Sequence, residues 1–187
     1  MPSDAASPRA TRLQPGQAVP PLRLRTLSGR RWDLAEHQAR HPGQMVLIVV
    51  YRGVHCDSCR QHLRELAALV GEFAAHGVAV IAVSSDSRER AESAHEEWAL
   101  QGLNIGYAMP LDAILSWGLA LSPGRGYAGS GIVEPPLFAE PGLFLIRADG
   151  RLQAAALGVA SFSRPRLREL LRALELLVRQ RPGQPAA

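Results

Sequence analysis

The sequence predicts an α/β protein built on a mixed central sheet with helices on both faces. Three observations carry this reading. Two uninterrupted apolar runs rich in β-branched residues, MVLIVVY at 45–51 and VAVIAVS at 78–84, have the composition of parallel strands buried on both faces. The stretch between them places apolar residues at helical spacing, as a crossover between parallel strands requires. Later, GLFLIRADGRLQAAAL reads as a strand, an Asp-Gly turn and a strand, an antiparallel hairpin that makes the sheet mixed.

The elements follow in order. PLRLRTLSGRRWDL gives two short strands around a Ser-Gly turn, an N-terminal β-hairpin in which Leu22 and Leu24 share one face. MVLIVVY comes next and runs directly into the only two cysteines, Cys56 and Cys59. From Asp57 to about Ala75, residues Leu63, Leu66, Ala67, Val70, Phe73 and Ala74 form the buried stripe of a helix that Gly77 stops. After VAVIAVS, the segment DSRE offers Asp86 as an N-cap with Glu89 three residues on, a capping-box arrangement, and Ala91, Ala94 and Trp98 mark the inner face of a second helix.

NIGYAMP reads as a third parallel strand, and Leu111, Ile114, Leu115 and Gly118 as a short helix. A Gly/Pro-rich loop from Ser122 to about Pro136 precedes the late hairpin, and a loop of that length is a candidate binding element. Leu167, Leu170, Leu171, Leu174 and Leu177 give the stripe of a last helix. Trp32, Trp98 and Trp117 fall within elements, as core residues or contacts to a second copy of the chain.

A chain of 187 residues suits one domain, placed at 15–181, with polar, Pro-containing tails at 1–14 and 182–187. Apolar residues make up 47% and charged residues 20%, close to the average for globular proteins. The net charge is +4, yet every basic residue is Arg and the arginines are scattered rather than gathered in a stripe, which argues against nucleic-acid binding. No apolar run approaches a membrane span and the N-terminus has no secretory h-region, so the expected location is cytoplasmic. In a reducing compartment a close cysteine pair is catalytic or metal-binding more often than a structural staple.

The segment YRGVHCDSCRQHL holds that pair at the carboxyl end of a central strand, where sites gather in open α/β sheets. There the unpaired N–H groups and the positive end of the helix dipole stabilise a thiolate, the nucleophilic form. Arg52, Arg60 and a protonated His55 or His62 would act in the same direction, and Asp57 against them. A two-residue spacer on the first turn also lets the sulfurs form and break a disulfide.

Three readings compete. The strand-to-helix context favours a redox dithiol. A metal site could use Cys56, Cys59 and His62 with His55 adjacent, but no second Cys-x-x-Cys or His-x-x-x-His completes a tetrahedron. Packing as small apolar residues fits poorly with the polar neighbours His55, Asp57, Ser58 and Arg60.

The strand MVLIVVYRG, the pair CDSC opening a helix, the strand VAVIAVSSDS and the hairpin EPGLFLIRADGRL resemble the redoxins of the thioredoxin-like fold, in their AhpC/TSA or peroxiredoxin-like branch, over about residues 15–178. YRGVHCDSC is similar to a peroxiredoxin-like subgroup carrying Arg-Gly-x-x-Cys-x-x-Cys. Peroxiredoxins carry Pro-x-x-x-Thr-x-x-Cys; laid against it without gaps, Cys59 matches the attacking Cys, Cys56 the Thr and Arg52 the Pro. Their peroxide-polarising Arg-Gly-Leu-Phe segment has Pro141 in the arginine's place, where a proline is similar to the cis-proline facing the thioredoxin dithiol. Arg52 or Arg125 is the candidate substitute for the missing arginine.

The resemblance implies a cysteine-based thiol oxidoreductase that reduces peroxides as Cys56 and Cys59 cycle between dithiol and disulfide, with Arg52, His55 and Pro141 in support. By thioredoxin logic Cys56 attacks and Cys59 resolves; by peroxiredoxin logic the order reverses. No cofactor or metal is implied. The expected partners are a peroxide or disulfide substrate, an external reductant such as a thioredoxin or glutathione system, and a second copy of the chain in a homodimer. A thioredoxin-like disulfide reductase and a non-enzymatic redox sensor or scaffold are the alternatives.

Overall fold

The computed structural model describes residues 12–158 and 166–179. Its N-terminal hairpin consists of β1 (Arg23–Thr26) and β2 (Arg31–Asp33). There follow α1 (Leu34–Arg40), β3 (Met45–Val50), α2 (Asp57–Ala75), β4 (Val78–Val83), α3 (Arg88–Glu97), β5 (Asn104–Tyr107) and α4 (Leu111–Ser116). The chain ends through β6 (Leu121–Pro123), β7 (Leu137–Ala139), β8 (Gly142–Ile146), β9 (Leu152–Leu157) and α5 (Leu167–Arg179).

The seven-stranded sheet has the order β2-β1-β5-β4-β3-β8-β9. The strands β3, β4 and β5 are parallel to one another, and β1, β2, β8 and β9 pair antiparallel, so the mixed sheet expected from the sequence is the one observed. The two central runs are buried because helices cover both faces. On one face Leu47 and Val49 meet Leu63, Leu66 and Phe73 of α2, Ala91 and Ala94 of α3, and Leu167, Leu171 and Leu174 of α5. On the other, Val46, Ile48 and Val50 meet Leu34 and Ile114.

Two features depart from the sequence reading. The helix α1 was not anticipated; Leu34 is its one buried residue, so its seven residues show no apolar period, and Asp33 caps it by accepting from the Glu36 N–H at 3.1 Å. The Gly/Pro-rich stretch is a β-arm rather than a plain loop: β6 and β7 pair through Leu121↔Ala139, Ser122↔Phe138 and Pro123↔Leu137, with a further bridge at Tyr127↔Val133. The expected tails fall outside the described residues except for 12–14, and there Leu13 packs against the second core.

Register brings the site together. Val50 lies opposite Val83 on the parallel neighbour and opposite Gly142 on the antiparallel one. The segments after β3 and β4 and the segment before β8 therefore leave the sheet side by side at one end.

Candidate active site

The strand β3 hands over to α2 through a turn closed by the Cys56 N–H donating to Gly53 O at 3.1 Å. Cys56 is the N-cap of α2, in extended conformation, and its Sγ accepts the Cys59 N–H at 3.3 Å. Cysteine thus takes the role that Ser or Asp usually plays, meeting one of the orphan amides of the first turn. Cys59 sits inside that turn. The two sulfurs are not joined as a disulfide, and the side chains are only 5% and 1% exposed.

The turn is fastened from the neighbouring strand. Asp86, just past β4, is buried; its Oδ2 accepts the Val54 N–H at 2.8 Å and its Oδ1 accepts Arg90 Nε–H at 2.9 Å. Gly53 is required here, since its φ is +138° and a Cβ on it would lie 2.5 Å from Asp86 Oδ2. The sequence reading made Asp86 the cap of α3. The cap is Ser87, whose Oγ accepts the Arg90 N–H at 3.4 Å. Both side chains can cap, but the helix begins one residue later, and the buried carboxylate goes to an amide and a guanidinium that lack other partners of equal strength.

Arg90 NH2 also donates to His55 Nδ1 at 3.4 Å. A guanidinium can only donate, so Nδ1 is the acceptor and the ring proton belongs on Nε2. Burial holds the His55 pKa below its usual 6.5, with Asp86 and Glu134 raising it and Arg90 and Arg52 lowering it further. Burial therefore favours the neutral ring of His55, which weakens the support a protonated His55 would give the thiolates. Its Nε2 is buried without a hydrogen-bond partner.

Phe138 of β7 joins His55 to Arg52. The His55 ring lies 4.8 Å from the Phe138 ring, and the Arg52 guanidinium carbon lies 4.5 Å from the same ring centre. Arg52 NH2 approaches Glu140 Oε1 at 3.5 Å, and Ser122 Oγ donates to the same oxygen at 2.5 Å. Arg52 Nε is a second buried donor without a partner. Arg125, the alternative cation, is exposed on the arm, where its backbone N–H donates to Glu134 Oε2 at 2.8 Å.

The β-arm closes over this group. Ser130 Oγ donates to His55 O at 2.9 Å and Ile132 packs against the first core. Asp57 is exposed and faces the arm tip, where a Cβ on Gly129 would lie 3.8 Å from its Oδ2. Tyr51, fully buried, has its pKa raised above the ordinary phenol value first by burial and further by Asp86 and Cys59. His62 is buried on α2, one turn beyond Cys59. Among the described residues no three or more His, Cys, Asp or Glu side chains are gathered as metal ligands.

A family model described as the AhpC/TSA family matches residues 15–155, from before β1 into β9. The chain belongs to the AhpC/TSA family. Similar solved structures include a peroxidoxin, BcpB, from Mycobacterium tuberculosis, with a TM-score of 0.67 at 15% identity over 88% of this chain and 98% of that one. A mutant of PrxQ from Xylella fastidiosa gives 0.67 at 16% identity over 90% and 99%. Reduced Prx3 from Vibrio vulnificus, in complex with hydrogen peroxide, gives 0.66 at 18% identity over 87% and 99%. The sequence matches no curated protein.

As an AhpC/TSA protein with the thioredoxin-like fold, the chain is a peroxiredoxin-like, thiol-dependent oxidoreductase, and Cys56 and Cys59 fit its Cys-x-x-Cys pair. Pro141 follows a trans peptide bond, as no cis peptide occurs among the described residues. It lies immediately before Gly142, the residue opposite Val50, and its carbonyl accepts the Gly158 N–H at 2.8 Å. The candidate site thus brings Cys56, Cys59, Arg52 and His55 together at one end of the sheet. It also contains Asp86, Arg90, Phe138, Glu140 and Ser130, which sequence spacing left out. Only Asp86 had a readable signal, its place at the carboxyl end of the strand beside the one bearing the cysteines.

Proposed function

We propose that the protein reduces small hydroperoxides with Cys56 as nucleophile and Cys59 as resolving thiol. The observation that carries the order is the first-turn geometry: Cys56 Sγ sits at the helix N-terminus and accepts the Cys59 N–H at 3.3 Å, while Cys59 is tucked a turn further in. The Cys56 thiolate attacks one peroxide oxygen and the O–O bond breaks. The sulfur becomes a sulfenic acid, and the departing oxygen takes a proton to leave as water or an alcohol. The Cys59 thiol then attacks that sulfur, expelling water and forming the disulfide. An external dithiol returns two electrons by exchange.

Arg52 Nε and His55 Nε2 supply the two donors for the peroxide oxygens. Both are buried N–H groups without a partner and both pack on Phe138. They stand in for the Thr and Arg of the peroxiredoxin pattern that this chain lacks. The cycle needs no organic cofactor. A cytoplasmic thioredoxin or glutathione system fits as the reductant, because such systems keep dithiols reduced. No helix among the described residues is long and apolar enough to cross a membrane.

The burial of both cysteines favours a small oxidant over a protein disulfide. Stopped-flow oxidation of the reduced protein by hydrogen peroxide, an organic hydroperoxide and a model disulfide tests the reading. It requires loss of both thiols per chain, with peroxide reacting well above the rate of cysteine in solution. A peroxide rate no faster than that, with fast disulfide exchange, would transfer the assignment to disulfide reduction. Inertness toward all three would leave a sensor or scaffold.

A further inference from the structure

A cavity of about 600 Å³ lies at the other end of the strand order, lined by Arg23, Arg25, Arg31, Trp32, Tyr107 and Pro110 among others. That volume lies within the range of small-molecule sites, and the lining is more apolar than polar. Its lining includes none of Arg52, His55, Cys56 and Cys59, and its inner edge, at Tyr107 of β5, lies two strands from the dithiol strand β3. The cavity is therefore not the peroxide site.

Its charges are unusual. On one face, β2, β1 and β5 place Arg31, Arg25 and Tyr107 in a single cross-strand row, since Arg25 is opposite Arg31 on one side and opposite Tyr107 on the other. Like charges directly opposite each other are destabilising. The carboxylates of the lining do not relieve them. Asp33 is committed to Arg23 at 2.7 Å and to the cap of α1, and Glu36 pairs with Arg40 at 2.9 Å. Among the described residues neither Arg25 nor Arg31 has an ion pair.

We propose that this cavity binds a small organic phosphate, with the dianionic head bridging Arg25 and Arg31 and an apolar body against Tyr107, which shares their face. A phosphate suits the row because two guanidiniums on adjacent strands can each donate two parallel N–H bonds to it and share its charge. Binding removes the repulsion between them, so the hairpin stiffens when the site is filled.

Calorimetric titration of the reduced, full-length protein with phenyl phosphate, inorganic phosphate and benzoate at low ionic strength tests this. Phenyl phosphate should bind saturably at one per chain, and Arg25→Gln and Arg31→Gln should each weaken it about tenfold, as expected for loss of one charge-assisted pair. Both arginines are exposed, and circular dichroism and peroxide turnover should match the parent. Absence of saturable heat, or binding indifferent to both substitutions, overturns the site. Inorganic phosphate binding as tightly as phenyl phosphate overturns the apolar subsite, and tighter benzoate binding overturns the phosphate assignment. Because peroxide turnover is measured separately, failure here is distinguishable from failure of the oxidoreductase reading.

Discussion

The carboxylate of Asp86 accepts the backbone N–H of Val54 at 2.8 Å, and by this bond the segment after β4 holds the turn that presents Cys56. The same carboxylate pairs with Arg90, which in turn donates to His55. A buried charge of this kind acts chiefly through what is left uncompensated when it is removed. Asp86→Ala should cost about 2–3 kcal/mol in urea unfolding, from an unmet amide and a stranded guanidinium. Asp86→Asn, which keeps one acceptor, should cost less and lower the peroxide rate more than it lowers stability. A loss within experimental error for Asp86→Ala would show that the turn holds itself.

Gly53 should be among the least replaceable glycines. At φ +138° with a Cβ only 2.5 Å from Asp86 Oδ2, Gly53→Ala combines backbone strain of about 1–3 kcal/mol with displacement of the carboxylate. Gly71 is the opposite case. It lies inside α2 with open space where a Cβ would go, so Gly71→Ala should stabilise by about 0.5–1 kcal/mol. Thermal unfolding of the two variants should give shifts of opposite sign, and equal shifts would contradict the geometry of the Cys56 turn.

Much of this architecture is legible from residue pattern because α2 carries its period openly: Leu63, Leu66 and Phe73 are buried where the spacing puts them, and the helix spans Asp57–Ala75 as expected. The part that was not legible depends on distant partners. A local window sees Asp86 before a helix and reads capping chemistry; its amide partner Val54 is 32 residues away and supplies no local signal. Phe138 and Ser130 were hidden differently. The Gly/Pro content of 122–136 resembles a loop, and its pairing in β6 and β7 depends on Leu121 finding Ala139. The cysteines were legible because their chemistry and their place at a strand end are both local properties.

Stability should fall as the solution is acidified through the histidine range. Burial lowers the folded pKa of His55 below 6.5, and that of His37 likewise, so in this window the unfolded chain binds more protons than the folded one. Stability is then full above 6.5 and is lost as pH falls toward the lower folded pKa values. The lowered carboxyls Asp33 and Glu89 act only below their ordinary values of 3.8 and 4.5, outside that window. Urea midpoints taken between pH values of about 7.5 and 5.5 should decline for the parent and decline less steeply for His55→Gln. An unchanged slope in the variant would mean that His55 is as easily protonated in the fold as out of it.

The two cysteines should separate cleanly by single replacement. Both cysteines are buried, but Cys56 is the N-cap and its Sγ accepts the amide of Cys59, while Cys59 lies inside the first turn. Cys59→Ser should therefore keep a fast-reacting thiol with a low kinetic pKa, accumulate one sulfenic acid per chain with peroxide, and form no intramolecular disulfide. Cys56→Ser should react no faster than cysteine in solution, since the remaining thiol lies inside the turn. Thiol trapping across a low-pH series, with mass measurement of the oxidised adduct, distinguishes the two. If Cys56→Ser instead retains the fast thiol and the sulfenic acid, attack belongs to Cys59. Cys56 would then occupy the Thr position of the peroxiredoxin pattern as a resolving residue, and the first-turn amide would serve to orient it rather than to activate it.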